Sequence, residues 1–166
     1  MRRFVSLMLA WAASTGTAQT TTLNEVTQAL HRAQRQVIAY LPDLQAQMLA
    51  QALKEAASRR VHVHLITPRR AHLRPGSFLP SVALANAEQP PLPLGYHFGE
   101  LKAPPLVIVD NRTLYLGAGL ADGSSAVRRG TSAELTRALT ASANVINASP
   151  NVPARVLIKE RYGLAW

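Results

Sequence analysis

The pattern of apolar and polar residues along the chain predicts alternating helices and strands. Val26 and Leu30 recur at helical spacing behind Thr22 and Glu25, which have the form of a capping box. In such a box the threonine accepts a hydrogen bond from the first helical turn and the glutamate reaches back to the cap. The pattern therefore predicts an amphipathic helix from about Leu23 to Gln36.

The next segments predict a strand, a second helix and a second strand. The apolar run Val37–Leu41 ends at Pro42, which stops a strand. Asp43 is placed to cap a helix over Leu44–Ser58, and Val61–Ile66 has the alternation and the β-branched residues of another strand. Because a helix connects the two strands, they are expected to pair in parallel within an α/β sheet.

The middle of the chain is less regular. Thr67–Ser77 is a basic loop, Phe78–Ala87 predicts a short helix, and Glu88–Pro105 is a proline-rich connection. Within that connection Leu94–Phe98 predicts an edge strand. We expect no regular element in the rest of the connection.

Two short apolar runs, Leu106–Val109 and Thr113–Leu116, enclose the turn Asp110-Asn111-Arg112 and predict a β-hairpin. A loop of small residues follows Gly117 and leads to an apolar segment, and Pro153–Tyr162 predicts a final helix. The expected fold is a single α/β domain with a mixed, largely parallel sheet flanked by helices.

The N-terminus has the three parts of a secretory signal peptide. Arg2 and Arg3 precede an apolar stretch from Phe4 to Ala13, and small residues follow up to Ala18. The stretch is shorter than the roughly 20 residues that a membrane-spanning helix needs. We therefore expect residues 1–18 to be removed, residues 19–166 to form the domain, and the mature protein to be secreted or periplasmic with no transmembrane segment.

Composition narrows the chemistry. The 166 residues include no cysteine, which excludes disulfides, thiolate metal sites and cysteine nucleophiles. The net charge is +9, and arginine supplies 15 of the 18 basic residues. Such an excess favours polyanionic partners, because guanidinium groups bind phosphate oxygens in pairs. The alternative is a structural or interaction module whose basicity is only compositional.

The basic loop offers candidate phosphate ligands. Arg69, Arg70, His72 and Arg74 follow the carboxyl end of a predicted parallel strand, which is where ligands bind in open α/β sheets. Arg128-Arg129 would extend this patch. A solvated loop without a ligand is the competing interpretation.

The stretches VIAYL, ALKEAASRRVHVHLI and PLVIVDNRTLYLGAG, in this order, resemble the phospholipase D superfamily, and in particular its small exported endonucleases. The resemblance covers about Leu23 to Trp166. It implies a phospholipase-D-like domain in which a His-x-Lys-x4-Asp motif, followed by Gly-Ser-x-Asn, cleaves phosphodiesters. There the histidine attacks phosphorus, the lysine holds the phosphoryl oxygens, and a second histidine protonates the leaving group. In small members this histidine comes from a partner subunit, which implies a homodimer.

The motif is degenerate in this chain. Counting back from Asp110 puts Pro105 at the lysine position and Ala103 at the histidine position. If Ala103-Pro104-Pro105 is an insertion, Lys102 takes the lysine position and Glu100 that of the nucleophile. Of the second element only the glycine, Gly117, remains. The residual site is therefore Asp110 with Lys102, and His97 is the nearby histidine proposed to replace the nucleophile.

These observations favour a catalytically inactive or impaired protein that binds nucleic acid or anionic lipid. The alternative is an active phosphodiesterase, endonuclease or phospholipase that uses Glu100, Lys102 or His97 in atypical roles. His62 and His64 are interpreted as outward positions of a strand, and Glu134 as the acid that supports the catalytic histidine in the family. We expect no cofactor and no metal.

Overall fold

The structure is a computed structural model that describes residues 19–87, 91–124 and 126–163. The predicted signal peptide lies outside the described residues. In these ranges the chain forms three layers, with one β-sheet between a group of helices on one face and a single long helix on the other. None of the described helices has the length and apolarity needed to cross a membrane.

Seven strands of the described residues form the sheet, in the order β1-β7-β6-β5-β2-β3-β4. The strands are β1 (Thr20–Thr21), β2 (Gln36–Tyr40), β3 (His62–Thr67), β4 (Leu94–Phe98), β5 (Leu106–Val109), β6 (Thr113–Leu116) and β7 (Val127–Arg129). The predicted edge strand β4 lies at one edge. The two shortest strands, β1 and β7, were not predicted.

The sheet is mixed, and the prediction of a largely parallel sheet is wrong. Only β2–β3 and β3–β4 pair in parallel, whereas the other four pairs are antiparallel. The helical crossover makes the β2–β3 pair parallel, as expected. The hairpin β5–β6 then places β5 beside β2 in the opposite direction, so the second half of the sheet continues antiparallel.

The described part of the chain has six α-helices: α1 (Leu23–Arg32), α2 (Gln47–Ser58), α3 (Leu79–Leu84), α4 (Gly119–Asp122), α5 (Ser132–Ala148) and α6 (Ala154–Tyr162). Thr22 caps α1 as predicted, but α1 ends four residues early because Gln36 already belongs to β2. Asp43 does not cap α2, which begins at Gln47; its carboxylate instead accepts a hydrogen bond from the Leu44 N–H.

The two faces of the sheet bury separate cores. On one face, side chains of α1, α2, α3 and α6 pack against alternate residues of the strands, such as Val37, Ala39 and Leu65. On the other face Ile38, Ile66 and their neighbours pack against α5. All the apolar side chains by which α5 contacts this face are only partly buried. The α5 face of the sheet is therefore less completely covered than the opposite face.

Candidate ligand-binding site at the sheet edge

Two of the three motif remnants, Lys102 and Gly117, lie at one edge of the sheet. Strand β2 ends at this edge where β5 begins, because Tyr40 pairs with Leu106. The N–H of Gly117, after β6, donates to the carbonyl oxygen of Pro105, before β5, at 3.0 Å. The segment Leu101–Pro105 therefore lies beside Gly117, and both registers of the degenerate motif fall at this edge.

Asp110 lies at the opposite end of β5, about 13 Å away along a four-residue strand. Asp110 and Asn111 both have positive φ, 51° and 58°, as a type I′ hairpin turn requires. The Asp110 carboxylate accepts hydrogen bonds from the backbone N–H groups of Gln34, Arg35 and Gln36, at 2.8–3.2 Å. It ties the hairpin turn to the loop between α1 and β2.

The hydrogen bonds keep Asp110 ionised. Burial by itself raises the pKa of this carboxyl, but the three backbone N–H groups and the nearby Arg112 lower the pKa below its ordinary value overall. The Asp110 carboxylate already accepts hydrogen bonds from three backbone N–H groups, and it lies far from the motif edge. Asp110 therefore stabilises the fold. It has no geometric access to a ligand at Lys102.

A cavity of about 340 Å³ opens at the motif edge, between the Leu101–Pro104 segment, the β5–β6 hairpin and α5. Its floor is apolar, with Leu106, Leu114 and Leu116 from the strands. The charged residues that line it are Lys102, Arg128, Glu134 and Arg137. No histidine lines this cavity.

Glu134 is committed to local structure. Its carboxylate accepts two hydrogen bonds from the Arg128 guanidinium, at 2.7 and 3.0 Å, and completes a capping box with Thr131 at the start of α5. The Arg128 hydrogen bonds, followed by that of the Thr131 N–H, lower the pKa of Glu134 to about 2. Glu134 thus neutralises Arg128 and holds the first turn of α5.

Lys102 and Arg137 are the remaining cations of the cavity. Both are exposed, and within the described residues neither makes an ion pair with a carboxylate. Arg137 was missed in the sequence because α5 was not predicted. The signal was present, since Thr131 and Glu134 have capping-box spacing immediately before a long run without glycine or proline.

His97 belongs to a different environment. It lies on β4, is 5% exposed, and pairs through Nε2 with Nδ1 of His64 at 3.2 Å. Its Nδ1 donates to the carbonyl oxygen of Ser149, at 2.9 Å, after the end of α5. Burial, followed by the charge of His97 and of His62, lowers the pKa of His64. The structure therefore joins His97 to His64 and does not bring it to the Lys102 cavity.

His62 and His64 lie on the face of β3 opposite Val63 and Leu65, as predicted, but they differ in exposure. His62 is exposed, while His64 is half-buried against His97. Among the residues that the structure describes, no group of three or more histidine, cysteine or acidic side chains is arranged to hold a metal ion.

Three of the four predicted phosphate ligands of the basic loop lie near acidic residues. Arg69 lies 3.8 Å from Glu160 of α6 and over the ring of Phe98, and Arg74 lies 3.8 Å from Asp43. His72 is fully buried, with Nε2 2.9 Å from Glu160. Burial lowers the pKa of His72 although Glu160 acts in the opposite direction.

Of the four predicted phosphate ligands, Arg70 alone is exposed without an ion pair to a described carboxylate.

The fold is similar to that of solved structures of phospholipase D family proteins. A related fold is found in NucT from Helicobacter pylori, with a TM-score of 0.61, 15% identity, and coverage of 78% of this chain and 90% of NucT. The phospholipase D family member Nuc from Salmonella typhimurium gives a TM-score of 0.57 at 16% identity, with the same two coverages, 78% and 90%. The similarity to this superfamily that the sequence motifs predicted is thus confirmed at the level of the fold.

A third similar structure is TrmBL2, an archaeal chromatin protein described as showing a novel mode of DNA binding. Its TM-score is 0.54 at 13% identity, and the match covers 80% of this chain but 51% of TrmBL2. No protein-family model and no curated protein matches the sequence.

Proposed function

We propose that this protein is an exported phospholipase-D-like domain that binds phosphate-bearing polyanions, nucleic acid or anionic lipid, without cleaving them. The observation that carries the proposal is the cavity at the motif edge, which holds the cations Lys102 and Arg137 but no histidine. These two cations would bind an anion at the position where members of the resembling superfamily cleave phosphodiesters.

The chemical argument concerns what a phosphodiesterase needs at one phosphate. A nucleophile, a proton donor and an anion clamp must converge within about 3 Å of their targets. Lys102 and Arg137 supply the clamp. Ala103 and Pro105 have no group that attacks phosphorus or transfers a proton, so binding without turnover is the function that these side chains support.

An atypical active site that uses Glu100 or His97 has less support. Glu100 is exposed and does not line the cavity, and both ring nitrogens of His97 are already engaged, one with His64 and one with the Ser149 carbonyl. Recruiting His97 would require β4 and the end of α5 to separate.

Export and self-association are part of the same proposal. Export rests on the basic, apolar and small-residue segments of residues 1–18. A homodimer rests on the arrangement that small superfamily members use, and analytical ultracentrifugation of the purified protein tests it.

The binding test uses a labelled single-stranded oligonucleotide and anionic vesicles over a series of salt concentrations. We expect binding that weakens steeply with salt, and a Lys102→Ala/Arg137→Ala variant that binds more weakly with a salt slope reduced by about 2. The matched control is Arg155→Ala/Lys159→Ala on α6, which removes the same charge outside the cavity. An Arg69→Ala/Arg70→Ala variant tests the basic loop separately.

The activity test gives the protein plasmid DNA and a chromogenic phosphodiester, with and without chelator. We expect no turnover. Turnover that is abolished by His97→Ala would refute a non-catalytic function, and binding that is insensitive to salt and to all three double variants would favour basicity without a ligand.

A further inference from the structure

We propose that the cavity at the motif edge binds an amphiphilic anion with a single alkyl chain, whose chain enters the cavity and whose head group lies at Lys102 and Arg137. This inference rests on the proposed function, since both place an anion at the same two cations. It goes further because it identifies the uncharged part of the ligand as an alkyl chain inside the cavity.

The floor of the cavity is apolar. Leu106 and Leu114 are 0% and 2% exposed, and Leu116 is 5% exposed. They project from β5 and β6, while Ala138 and Ala141 of α5 line the opposite wall. Because alanine side chains are small, these two positions leave space unfilled between α5 and the leucines, and methyl and methylene groups bound this space.

The volume suits one chain. At about 340 Å³ it is roughly twice the 150 Å³ cavity known to bind benzene and lies at the lower end of ligand pockets, about 300–1,000 Å³. A medium-length alkyl chain therefore has room, while a ligand with two long chains would leave most of one chain in water.

The charge is concentrated at the mouth. The charged residues of the lining leave a net charge of +2 once the Arg128–Glu134 pair is counted as neutral. Lys102 comes from the segment before β5 and Arg137 from α5, so the two cations belong to separate walls. A phosphate or carboxylate head group between them would gain two charge-assisted contacts while its chain is buried.

Nucleic acid bases suit the interior poorly. Proteins hold unstacked bases on aromatic rings and by hydrogen bonds to the base edges. The residues that line this cavity include no aromatic side chain, and its floor offers no side-chain donor or acceptor. An oligonucleotide would thus reach the cations at the mouth without entering the cavity.

Calorimetry with decyl phosphate below its micelle concentration tests the inference, with inorganic phosphate, decanol and an oligonucleotide as comparison ligands. We expect decyl phosphate to bind at least about 100-fold more tightly than inorganic phosphate, because apolar burial adds to the ionic contacts. Lys102→Ala/Arg137→Ala should weaken decyl phosphate binding and leave decanol binding unchanged.

A variant that fills the cavity separates chain binding from head-group binding. Ala141→Phe should weaken decyl phosphate binding at least about 10-fold, whereas Ala133→Phe on the exposed side of the same helix should not change it. Ala138→Leu, with a smaller side chain, is the second cavity variant if Ala141→Phe lowers the melting temperature.

Equal affinity for decyl phosphate and inorganic phosphate, or insensitivity to both cavity variants, would overturn the inference. If the oligonucleotide still binds through Lys102 and Arg137 in that case, the proposed function stands and the alkyl ligand fails. If neither anion binds, both fail.

Discussion

At the scale of single residues, Asp110 shows how a residue that matches a catalytic motif stabilises the fold. Its carboxylate is satisfied by three backbone N–H groups, and its positive φ belongs to the hairpin turn. The sequence predicted a hairpin turn that begins at Asp110. It did not predict the partners, because Gln34 to Gln36 are more than 70 residues away along the chain.

Replacing Asp110 by Ala should lower the free energy of unfolding by about 1–3 kcal/mol, since it leaves backbone donors without an acceptor. Asn111→Gly is the matched control; glycine adopts a φ of 58° freely, so stability should stay constant or rise slightly. Urea unfolding at pH 7 gives both values.

The Asp110 effect should depend on pH. The folded-state pKa of this carboxyl is lowered, so its stabilising contribution is complete above the unfolded pKa, about 3.9, and is lost as the pH falls through the folded pKa. The difference between wild type and Asp110→Ala should thus shrink below about pH 4. A difference that stays constant down to pH 2 would contradict this account.

At the scale of elements, local signals were enough for β2, α2, β3 and the β5–β6 hairpin. They were not enough for β1 and β7, because strands of two and three residues carry no readable alternation. Helix α5 was missed for another reason. Its 17 residues are rich in alanine, serine and threonine, and its apolar face is only partly buried. The two faces of this helix therefore differ little in hydrophobicity.

Gly117 lies between β6 and α4, and its backbone conformation explains why this position needs glycine. Its φ is 137°, and a Cβ at this position would clash with the carbonyl oxygen of Ala126 before β7. Gly117→Ala should therefore lower the free energy of unfolding by more than about 2 kcal/mol, combining backbone strain with the clash.

Gly76→Ala is the comparison for Gly117→Ala. Gly76 also has positive φ, 75°, but an added Cβ would meet nothing within 4 Å. It should cost only the left-handed backbone strain, about 1–2 kcal/mol. Equal melting temperatures for the two variants would show that the Ala126 contact is unimportant.

At the scale of the whole molecule, the net charge of +9 is a poor guide to which cations lie apart from carboxylates. The basic loop was the predicted cluster, yet Asp43 and Glu160 lie against its arginines. No local pattern indicates this, because the acids lie on segments distant in sequence. The exposed cations Lys102 and Arg137 were brought together by the sheet order and by α5.

Glu160 also joins the C-terminal helix to the rest of the domain. Glu160→Ala should lower the free energy of unfolding by about 1–3 kcal/mol, because it removes the carboxylate facing the fully buried His72 ring. Glu55→Ala removes the partner of His31 in a pair whose side chains are 41% and 48% exposed, and should cost under about 1 kcal/mol. Chemical denaturation of both variants checks the contrast; a larger effect for Glu55→Ala would contradict it.

Strand β5 separates the turn that stabilises the hairpin from the segment that lines the cavity. The turn at one end secures the hairpin, and the segment at the other end faces the ligand cavity. Substitutions at the exposed positions Lys102, Ala103 and Pro104 therefore change the lining of the cavity and leave the Asp110 contacts intact. At these three positions the shape and charge of the cavity can vary independently of the contacts that hold the hairpin.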